Sequence, residues 1–474
     1  MNIIIPNDVK TILNILESNG YETFVVGGCV RDSVLGREPK DWDITTNALP
    51  AQIKEIFGKE DKFKVLSIGE RFGMIAVILN GAQYEITTYR VDGDYSDDRH
   101  PEKVHFVNNI ETDLSRRDFT MNAIAYNDKT GIVDPFGGVD DINNRIIQCV
   151  GNEKRRFDED RLRILRAVRF EAQLSEYNMK LSESIVCYLK NMPEGVLTRV
   201  SNERISQEIN KILMSANMGA YVFRKYPEVF SQINIFPFIN KMNGFAQNSK
   251  WHTFDVYEHT LHAMQNIGMI RNKLASFSWS KDFVNICDND LILRLALLFH
   301  DVGKINACVK DNEGYCHFKG HPDISAKYAE EYLTYLRYSN IIRETVVELV
   351  SIHEQDIKDT NVGWRRLLNK YGKEQTIRLF ILRLLDKSAQ NLQYNYTENK
   401  IKLSYRLLCQ ELDDFQQFKV TDLAIGGREL IKLGFKPGPQ FKKIFDELLE
   451  QVIEKNIKNE KTNLMFYVVT HFNP

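Results

Sequence analysis

The chain has 474 residues, of which 43% are hydrophobic and 27% are charged, a balance typical of a globular protein. This length is too great for one ordinary hydrophobic core, so we expect two to four domains. The 62 basic and 64 acidic residues give a formal net charge of -2, so any nucleic-acid contact must use local basic patches.

The cysteines and the apolar stretches indicate the compartment. The seven cysteines form no CxxC pair and no regular framework, which favours free thiols in a reducing cytoplasm. The first residues do not resemble a signal peptide, and no stretch has the apolar length that a membrane span needs. We therefore expect a cytoplasmic protein with no membrane contact and no obligate protein partner.

The first part of the chain alternates between helical and strand-like patterns. Residues 7–19 have helical periodicity, and YETFVVGG reads as a strand that meets a tight turn. CVRDSVLG then opens a helix, DWDIT has the character of the next strand, and FGMIAVIL and YEITTY continue the strand-like pattern. This mixture predicts an N-terminal mixed α/β head over residues 1–136.

From residue 137 onward the pattern changes to long helical segments. The sequence therefore predicts an α+β fold in which the head is followed by an all-helical neck, body and tail. We place the neck at residues 137–215, the body at 216–411 and the tail at 412–474. A histidine-rich block lies within the body, at about residues 252–391.

A glycine turn and an acidic pair stand close together in the head. Gly27 and Gly28 lie between a strand and a helix, where glycines let backbone amides approach a phosphate. Asp41 and Asp43 flank one residue in an apparent strand, so both carboxylates point to one face. Two such carboxylates repel each other unless a cation lies between them, and Mg²⁺ is the hard cation that also bridges to phosphates.

Two further motifs follow in order along the chain. Residues 116–123 read RRDFTMNA, and residues 159–163 read EDRLR. Arginine forks suit phosphate oxygens, while aspartate and asparagine can hold ribose hydroxyls. Together with the glycine turn and the acidic pair, these motifs resemble those of the class II tRNA nucleotidyltransferase and poly(A) polymerase family.

This resemblance implies template-independent addition of CCA to tRNA 3′ ends, with tRNA as partner and CTP and ATP as substrates. It implies that Asp41 and Asp43 are catalytic and hold Mg²⁺. The residues that it implies for nucleotide binding are Gly28, Arg31, Arg117, Asp160, Arg163, Arg166 and Arg169.

The spacing of Asp160 and Arg163 predicts that they share a helix face. One carboxylate and one guanidinium offer acceptors and donors to a base edge in place of a template strand. Bidentate contacts of this kind discriminate between bases by about 1–3 kcal/mol each. The family resemblance implies that CTP is accepted first and ATP after a rearrangement.

Two segments leave alternatives within the family open. Residues 90–101 resemble the flexible loop that CC-adding enzymes usually lack, which favours full CCA addition. Residues 68–74 read IGERFGM and match the CCA-type glycine segment only in part, so poly(A) synthesis or A-addition alone remains an alternative. Glu85, in the strand-like segment YEITTY, is either a third carboxylate near the metals or a structural anchor.

The histidine-rich block predicts a second metal site. Residues 291–299 form an apolar run that ends in His300-Asp301, and adjacent histidine and aspartate at a helix end are well placed to share a metal. The order of the histidines and aspartates resembles the HD phosphohydrolase superfamily, which implies phosphodiesterase or phosphatase activity with Ni²⁺, Mn²⁺ or Zn²⁺. The implied ligands are His259, His300, Asp301 and Asp386, with His321 and His353 available for a second metal position.

Residues 428–443 carry five basic residues and one acidic residue and resemble the segment by which the family grips the tRNA body. Two rival hypotheses come from other classes. The first is a phosphohydrolase that uses only the HD site, and the second is an RNA-binding scaffold with an inactive head.

Overall fold

The computed structural model describes residues 3–92, 104–247, 253–276, 281–390, 398–413 and 415–474. The chain forms two compact units. The first contains Met1–Lys241 with Thr334–Tyr338, and the second contains Met242–Leu333 with Ser339–Pro474. Among the described residues, no helix combines the length and the apolar character needed to cross a bilayer.

The first unit is built on a sheet that, within the described residues, has seven strands in the order β3-β4-β5-β2-β1-β8-β9. Pairing is antiparallel except between β2 and β5, which are parallel. The strands are β1 (Thr23–Val26), β2 (Ile44–Thr46), β3 (Phe63–Leu66), β4 (Met74–Leu79), β5 (Ala82–Thr88), β8 (Ala125–Asn127) and β9 (Gly131–Val133).

β1 lies inside this sheet, between β2 and β8, and its four residues TFVV are all buried. β-branched and aromatic side chains of this kind favour a strand that is covered on both faces. Ile44 of β2 pairs with Val25 on one side and with Ile86 of β5 on the other. This register brings the residues that immediately precede Ile44 and Ile86, Asp43 and Glu85, to the same part of the sheet.

Helices cover the sheet and continue beyond it. They are α1 (Asn7–Ser18), α2 (Gly28–Val34), α3 (Pro50–Phe57), α4 (Ile110–Ser115), α5 (Gly138–Asn143), α6 (Glu153–Glu159), α7 (Leu162–Gln173), α8 (Glu183–Lys190), α9 (Asn202–Leu213), α10 (Ala220–Lys225), α11 (Pro227–Phe230) and α12 (Ile239–Met242). Two short strand pairs join them: β6 (Arg90–Asp92) with β7 (Val104–Phe106), and β10 (Ile146–Ile147) with β11 (Lys180–Leu181).

In the described residues that follow α12, the regular structure is helical apart from one hairpin, β12 (Val309–Lys310) with β13 (Cys316–His317). Its helices are α13 (Val256–Gln265), α14 (Ile267–Ala275), α15 (Lys281–Asn289), α16 (Leu291–Phe299), α17 (Lys304–Ala307), α18 (His321–Tyr335), α19 (Asn340–Ser351), α20 (Asn361–Ser388), α21 (Glu398–Asp413), α22 (Gly427–Lys432), α23 (Pro439–Ile453) and α24 (Lys461–His471). α20 is kinked at Gly372, where φ is 80°.

The predicted fold class, an α/β head followed by helical regions, is confirmed. The prediction that all seven cysteines are free thiols is wrong, because Cys308 and Cys316 form a disulfide. The β12–β13 hairpin brings their Cα atoms to 5.3 Å, a proximity that no CxxC-type spacing signals. The boundaries at residues 137, 216 and 412 stay predictions.

Candidate active sites

The glycine turn of the head holds an arginine close to the backbone. Gly27 has φ of 81°, a conformation that favours glycine, and it immediately precedes α2. A Cβ atom at Gly27 would lie 3.0 Å from Arg117 Nη1, so a larger residue would displace that guanidinium. At Gly28 a Cβ atom would lie 3.7 Å from Arg31 Nη2. The two glycines therefore let two arginines approach the turn.

The acidic pair lies immediately before β2 rather than inside it, since the strand begins at Ile44. The backbone at Asp43 is still tied to the sheet, because its carbonyl accepts a hydrogen bond from Val26 N–H at 3.0 Å. Burial, Asp41 and Glu85 raise the pKa of Asp43 to about 6, although Arg117 opposes the shift. Glu85, whose role the sequence left open, is thus electrostatically coupled to Asp43.

This donor set fits a hard divalent cation. The ligand atoms are carboxylate oxygens, which Mg²⁺ prefers, and the pKa of Asp43 is raised first by burial and then by the negative charges of Asp41 and Glu85. A divalent ion would remove this repulsion. Asp41 and Asp43 are the residues that would hold it, with Glu85 beside them.

A polar network connects the RRDFTMNA motif to α2 and α7. Arg31 Nη1 donates to Asn122 Oδ1 at 2.7 Å, and Asn122 Nδ2 donates to Asp118 Oδ1 at 3.1 Å. Arg166 Nε donates to Asp118 Oδ2 at 2.8 Å. Burial would raise the pKa of Asp118, but Arg166 and Asn122 hold it well below its usual value. Asp118 and Asn122 therefore fix the two arginines in place.

One aromatic ring supports three of the candidate arginines. The guanidinium carbons of Arg31, Arg166 and Arg169 lie 5.2, 5.5 and 4.2 Å from the centroid of Phe170. Arginine stacks favourably on an aromatic face. Arg169 also pairs with Glu208 at 3.1 Å. Sequence reasoning did not identify Phe170, since a phenylalanine in an amphipathic helix ordinarily indicates core packing.

The prediction that Asp160 and Arg163 share a helix face is wrong. Asp160 terminates α6 with φ of -143° and ψ of 104°, while Arg163 lies in the first turn of α7. Asp160 pairs with Arg204 at 2.8 Å, and Arg163 pairs with Glu159 at 2.8 Å. The break between two helices at this point explains the failure, because the i,i+3 rule requires one continuous helix.

The second unit brings the predicted HD residues together. Ligand atoms of His259, His300, Asp301 and Asp386 all lie within 4.8 Å of one another, and the first three residues are buried. His259 Nε2 lies 2.9 Å from Asp386 Oδ1 and 3.4 Å from Asp301 Oδ2. The positions follow from three helices, since His259 lies on α13, Asp386 on α20, and the His-Asp pair at the end of α16.

A second group shares Asp301. His321 Nε2 lies 3.2 Å from Asp301 Oδ1, and His353 Nε2 lies 3.9 Å from the same oxygen. Burial and the neighbouring His300 lower the pKa of His353 to about 3, so this ring stays neutral, as metal ligation requires. Asp301 Oδ2 thus faces His259 and His300, and Oδ1 faces His321 and His353.

The imidazole rings are oriented for ligation. Backbone carbonyls can only accept, so Nδ1 of His300, His321 and His353 donates to the carbonyls of residues 297, 318 and 350, at 2.7, 2.9 and 2.7 Å. A ring that is neutral and donates through Nδ1 keeps its lone pair on Nε2, the atom that faces the cluster. His300 Nε2 is buried with no hydrogen-bond partner among the described residues. The mixed imidazole and carboxylate donors fit a transition metal.

Lys304 was not identified from the sequence, although it lies three residues after Asp301. Its Nζ lies 2.7 Å from Asp301 Oδ2 and 3.0 Å from Gln247 Oε1, and the side chain is buried. The three-residue separation from Asp301 was the sequence signal that could have identified Lys304. Lys304 places a positive charge against the carboxylate that both histidine groups share.

The head has the architecture of a nucleotidyltransferase domain, and the comparisons agree with it. Residues 23–148 match the poly A polymerase head domain family, and residues 311–468 match the family of putative domain 2 of tRNA nucleotidyltransferases. The chain is 45% identical over 202 residues to the CCA-adding enzyme of Geobacillus thermodenitrificans, a match that covers 43% of this chain and 48% of that relative. It is 44% identical over 201 residues to the CCA-adding enzyme of Lactobacillus helveticus, covering 42% and 48%. The chain thus matches about half the length of these curated relatives.

Solved structures extend the similarity of the fold. The CCA-adding enzyme of Bacillus stearothermophilus in complex with CTP superposes with a TM-score of 0.69 and 25% identity, over 98% of both chains. The Thermotoga maritima CCA-adding enzyme complexed with tRNA has a TM-score of 0.58 at 18% identity, over 99% of both chains. These comparisons confirm the resemblance to the class II tRNA nucleotidyltransferase and poly(A) polymerase family.

The raised pKa of Asp43 predicts a stability effect in metal-free protein. A folded-state pKa of about 6, above the ordinary 3.8, means that ionised Asp43 destabilises the fold above pH 6 and has no such effect below pH 3.8. Asp43→Asn should therefore raise the free energy of unfolding at pH 8 in EDTA by roughly 1 kcal/mol, after a discount for partial exposure.

Chemical denaturation at pH 8 and pH 4.5 checks this expectation. The gain should shrink at the lower pH, and added Mg²⁺ should stabilise the unaltered protein but not the variant. A variant that is no more stable than the unaltered chain at pH 8 would contradict the electrostatic assignment.

Proposed function

We propose that the chain adds CCA to tRNA 3′ ends without a nucleic-acid template, using CTP and ATP. The observation that carries the proposal is the carboxylate group of the head. Burial, together with the charges of Asp41 and Glu85, raises the pKa of Asp43, and Arg117, which lies at the glycine turn, opposes the shift. Concentrated negative charge next to fixed guanidinium groups suits a metal-nucleoside triphosphate complex.

The proposed reaction forms a bond between the tRNA 3′ oxygen and the α-phosphorus of the nucleotide. The bond between the α-phosphorus and the bridging oxygen breaks, and pyrophosphate leaves with that oxygen. Asp41 and Asp43 would hold Mg²⁺, which when bound would neutralise charge and make the attacking hydroxyl more acidic. Gly28, Arg31 and Arg117 bind and orient the triphosphate, so that the two reacting atoms meet in a fixed geometry.

The neck residues are proposed to select the base. Asp160 and Arg163 supply an acceptor and donors, while Arg166 and Arg169 remain stacked on Phe170 beside them. Because Asp160 and Arg163 each already have an ionic partner, a base can use them only by replacing or sharing those contacts. This requirement favours a base whose donors and acceptors match the pair.

Two alternatives within the family stay open. Poly(A) synthesis or A-addition alone would use the same head. Most of the loop proposed to separate these activities, residues 93–101, lies outside the described residues. Incorporation assays on tRNA that lacks CCA, CA or A, with each nucleotide alone, distinguish the alternatives.

A first prediction concerns the head carboxylates. The double variant Asp41→Ala/Asp43→Ala should lose nucleotide addition by at least about a thousandfold, because both proposed metal ligands are removed. Radiolabelled CTP incorporation measures the loss, while tRNA binding and thermal unfolding should remain near those of the unaltered protein. Glu55→Gln is the matched control, since Glu55 is an exposed carboxylate paired with Lys59. Substantial Mg²⁺-dependent addition by the double variant would refute the assignment.

A second prediction concerns base selection. Asp160→Ala or Arg163→Ala should raise UTP and GTP incorporation relative to CTP and ATP by about tenfold, because one contact to a base edge is lost. Arg155→Ala is the control, since Arg155 is an exposed guanidinium on α6. Unchanged selectivity in both test variants would show that neither side chain reads the base.

We also propose that the HD cluster hydrolyses phosphoesters with a transition metal. The supporting observation is the convergence of Nε2 atoms and carboxylate oxygens, with each Nδ1 of three histidines committed to a backbone carbonyl. His259, His300, Asp301 and Asp386 would hold one metal, and Asp301, His321 and His353 a second. These residues would hold a metal whose chemistry would be to activate water and polarise a phosphoryl oxygen.

A third prediction tests this cluster separately from the head. His300→Ala/Asp301→Ala should abolish hydrolysis of 2′,3′-cyclic AMP with Ni²⁺ or Mn²⁺ and leave nucleotide addition intact. His317→Ala is the matched control, because His317 is exposed and its Nε2 pairs with Asp311 Oδ2 at 2.7 Å. Thermal unfolding must accompany the assay, since buried ligands are replaced. If the unaltered protein hydrolyses no phosphoester with any divalent metal, the cluster is a scaffold.

A further inference from the structure

Asp113, on α4, is a buried carboxylate that the proposed chemistry leaves unexplained. Its side chain has no exposed surface, and it lies between the segments that form the head site. Its Oδ1 atom accepts from Arg90 N–H at 3.2 Å and from Arg116 Nη2 at 2.8 Å. These short contacts account for one oxygen of the carboxylate.

The other oxygen faces the proposed triphosphate site. Asp113 Oδ2 lies 3.5 Å from Thr45 Oγ1 and 3.6 Å from Arg117 Nη2. Thr45 follows Asp43 by two residues, so this carboxylate connects the metal-binding segment with the arginine at the glycine turn. Burial acts to raise the pKa of Asp113, but Arg116 and Arg117 hold it below its usual value.

The contact with Arg117 differs from the other arginine pairs of the site. Arg166 donates two hydrogen bonds to Asp118, at 2.8 and 2.5 Å. Asp118 therefore already occupies two donors of Arg166. Arg117 is attracted to Asp113 at longer range, and its buried Nε has no hydrogen-bond partner among the described residues. Arg117 is therefore oriented by charge, and its partly exposed guanidinium makes no short hydrogen bond to Asp113.

We propose that Asp113 is a positioning residue for the incoming nucleotide, which acts by holding Arg117 against the Gly27 turn. The inference rests on the proposed nucleotidyl transfer. A triphosphate contact is made both before and during the reaction, so its loss should raise KM while kcat changes little.

Asp113→Asn gives the sharpest test, because an amide oxygen can still accept from Arg90 N–H and Arg116. It removes the negative charge and turns an N–H group toward Arg117. We expect KM for CTP to rise about tenfold, with kcat within about threefold of the unaltered value, as for loss of one charge-assisted contact. Glu171→Gln is the matched control, since Glu171 is a buried carboxylate that pairs with Lys225 and Tyr226.

A double-mutant cycle separates positioning from general structural support. If Asp113 acts through Arg117, Asp113→Asn should raise KM no further in an Arg117→Gln background. A purely structural role would give additive effects. If Asp113→Asn does not fold, Asp113→Glu, which keeps the charge but displaces it, should give a smaller rise in KM in the same cycle.

Direct CTP binding, measured with Mg²⁺ by calorimetry, accompanies the kinetics. An unaltered protein that binds and incorporates CTP, together with an Asp113→Asn variant of unchanged KM, would overturn this inference alone. Additive effects in the cycle would also overturn it. An unaltered protein that neither binds nor incorporates CTP would overturn the inference and the proposed function together.

Discussion

Unbalanced negative charge immediately before β2 is the constraint on which the head depends. Asp43 is half-buried, and the negative charges of the exposed Asp41 and Glu85 act on it. Ionised carboxylates gathered in this way are unfavourable unless a cation or an arginine lies nearby. Arg117 supplies part of the compensation, and its own partner Asp113 is completely buried. The fold thus keeps a local excess of negative charge that a bound cation would neutralise.

The head carboxylates and the HD cluster differ in how their charges are compensated. The head gathers oxygens and leaves them partly unneutralised. The second unit surrounds Asp301 with imidazole rings and with Lys304 Nζ at 2.7 Å. Burial alone would raise the pKa of Asp301, but His300 and Lys304 hold it well below its usual value. These donor sets favour different metals, so the two proposed chemistries need not compete for one ion.

Much of this arrangement could be predicted from the sequence because the signals are local. Alternation and glycine placement indicated the head, and the apolar run of α16 ends where the His-Asp pair was expected. The helix break at Asp160 could not be predicted, since EDRLR has the composition of a continuous helix. Asp160 Oδ1 accepts from Leu162 N–H, and Arg204 binds the other oxygen from a helix 44 residues away. Long-range partners of this kind leave no trace in spacing.

The same limitation applies to Phe170 and to the disulfide. Phe170 supports arginines from α2 and α7, but in the sequence it is one apolar residue among many on an amphipathic helix. Cys308 and Cys316 meet only because a hairpin turns between them. Residue type specifies what a side chain can do, whereas the partner that it meets depends on tertiary packing.

The pairing of the neck side chains bears on how a protein surface could replace a template. A free aspartate and a free arginine at a base-sized opening would attract each other or bind water indiscriminately. Here Arg163 already donates to Glu159 and to the backbone carbonyls of Arg156 and Arg116. A base that engages Arg163 must therefore offer acceptors as good as those it displaces or shares. A mismatched base leaves a buried guanidinium donor unsatisfied, at about 1–3 kcal/mol per group. Selection in the proposed mechanism thus depends on the penalty for the wrong base as much as on attraction to the right one.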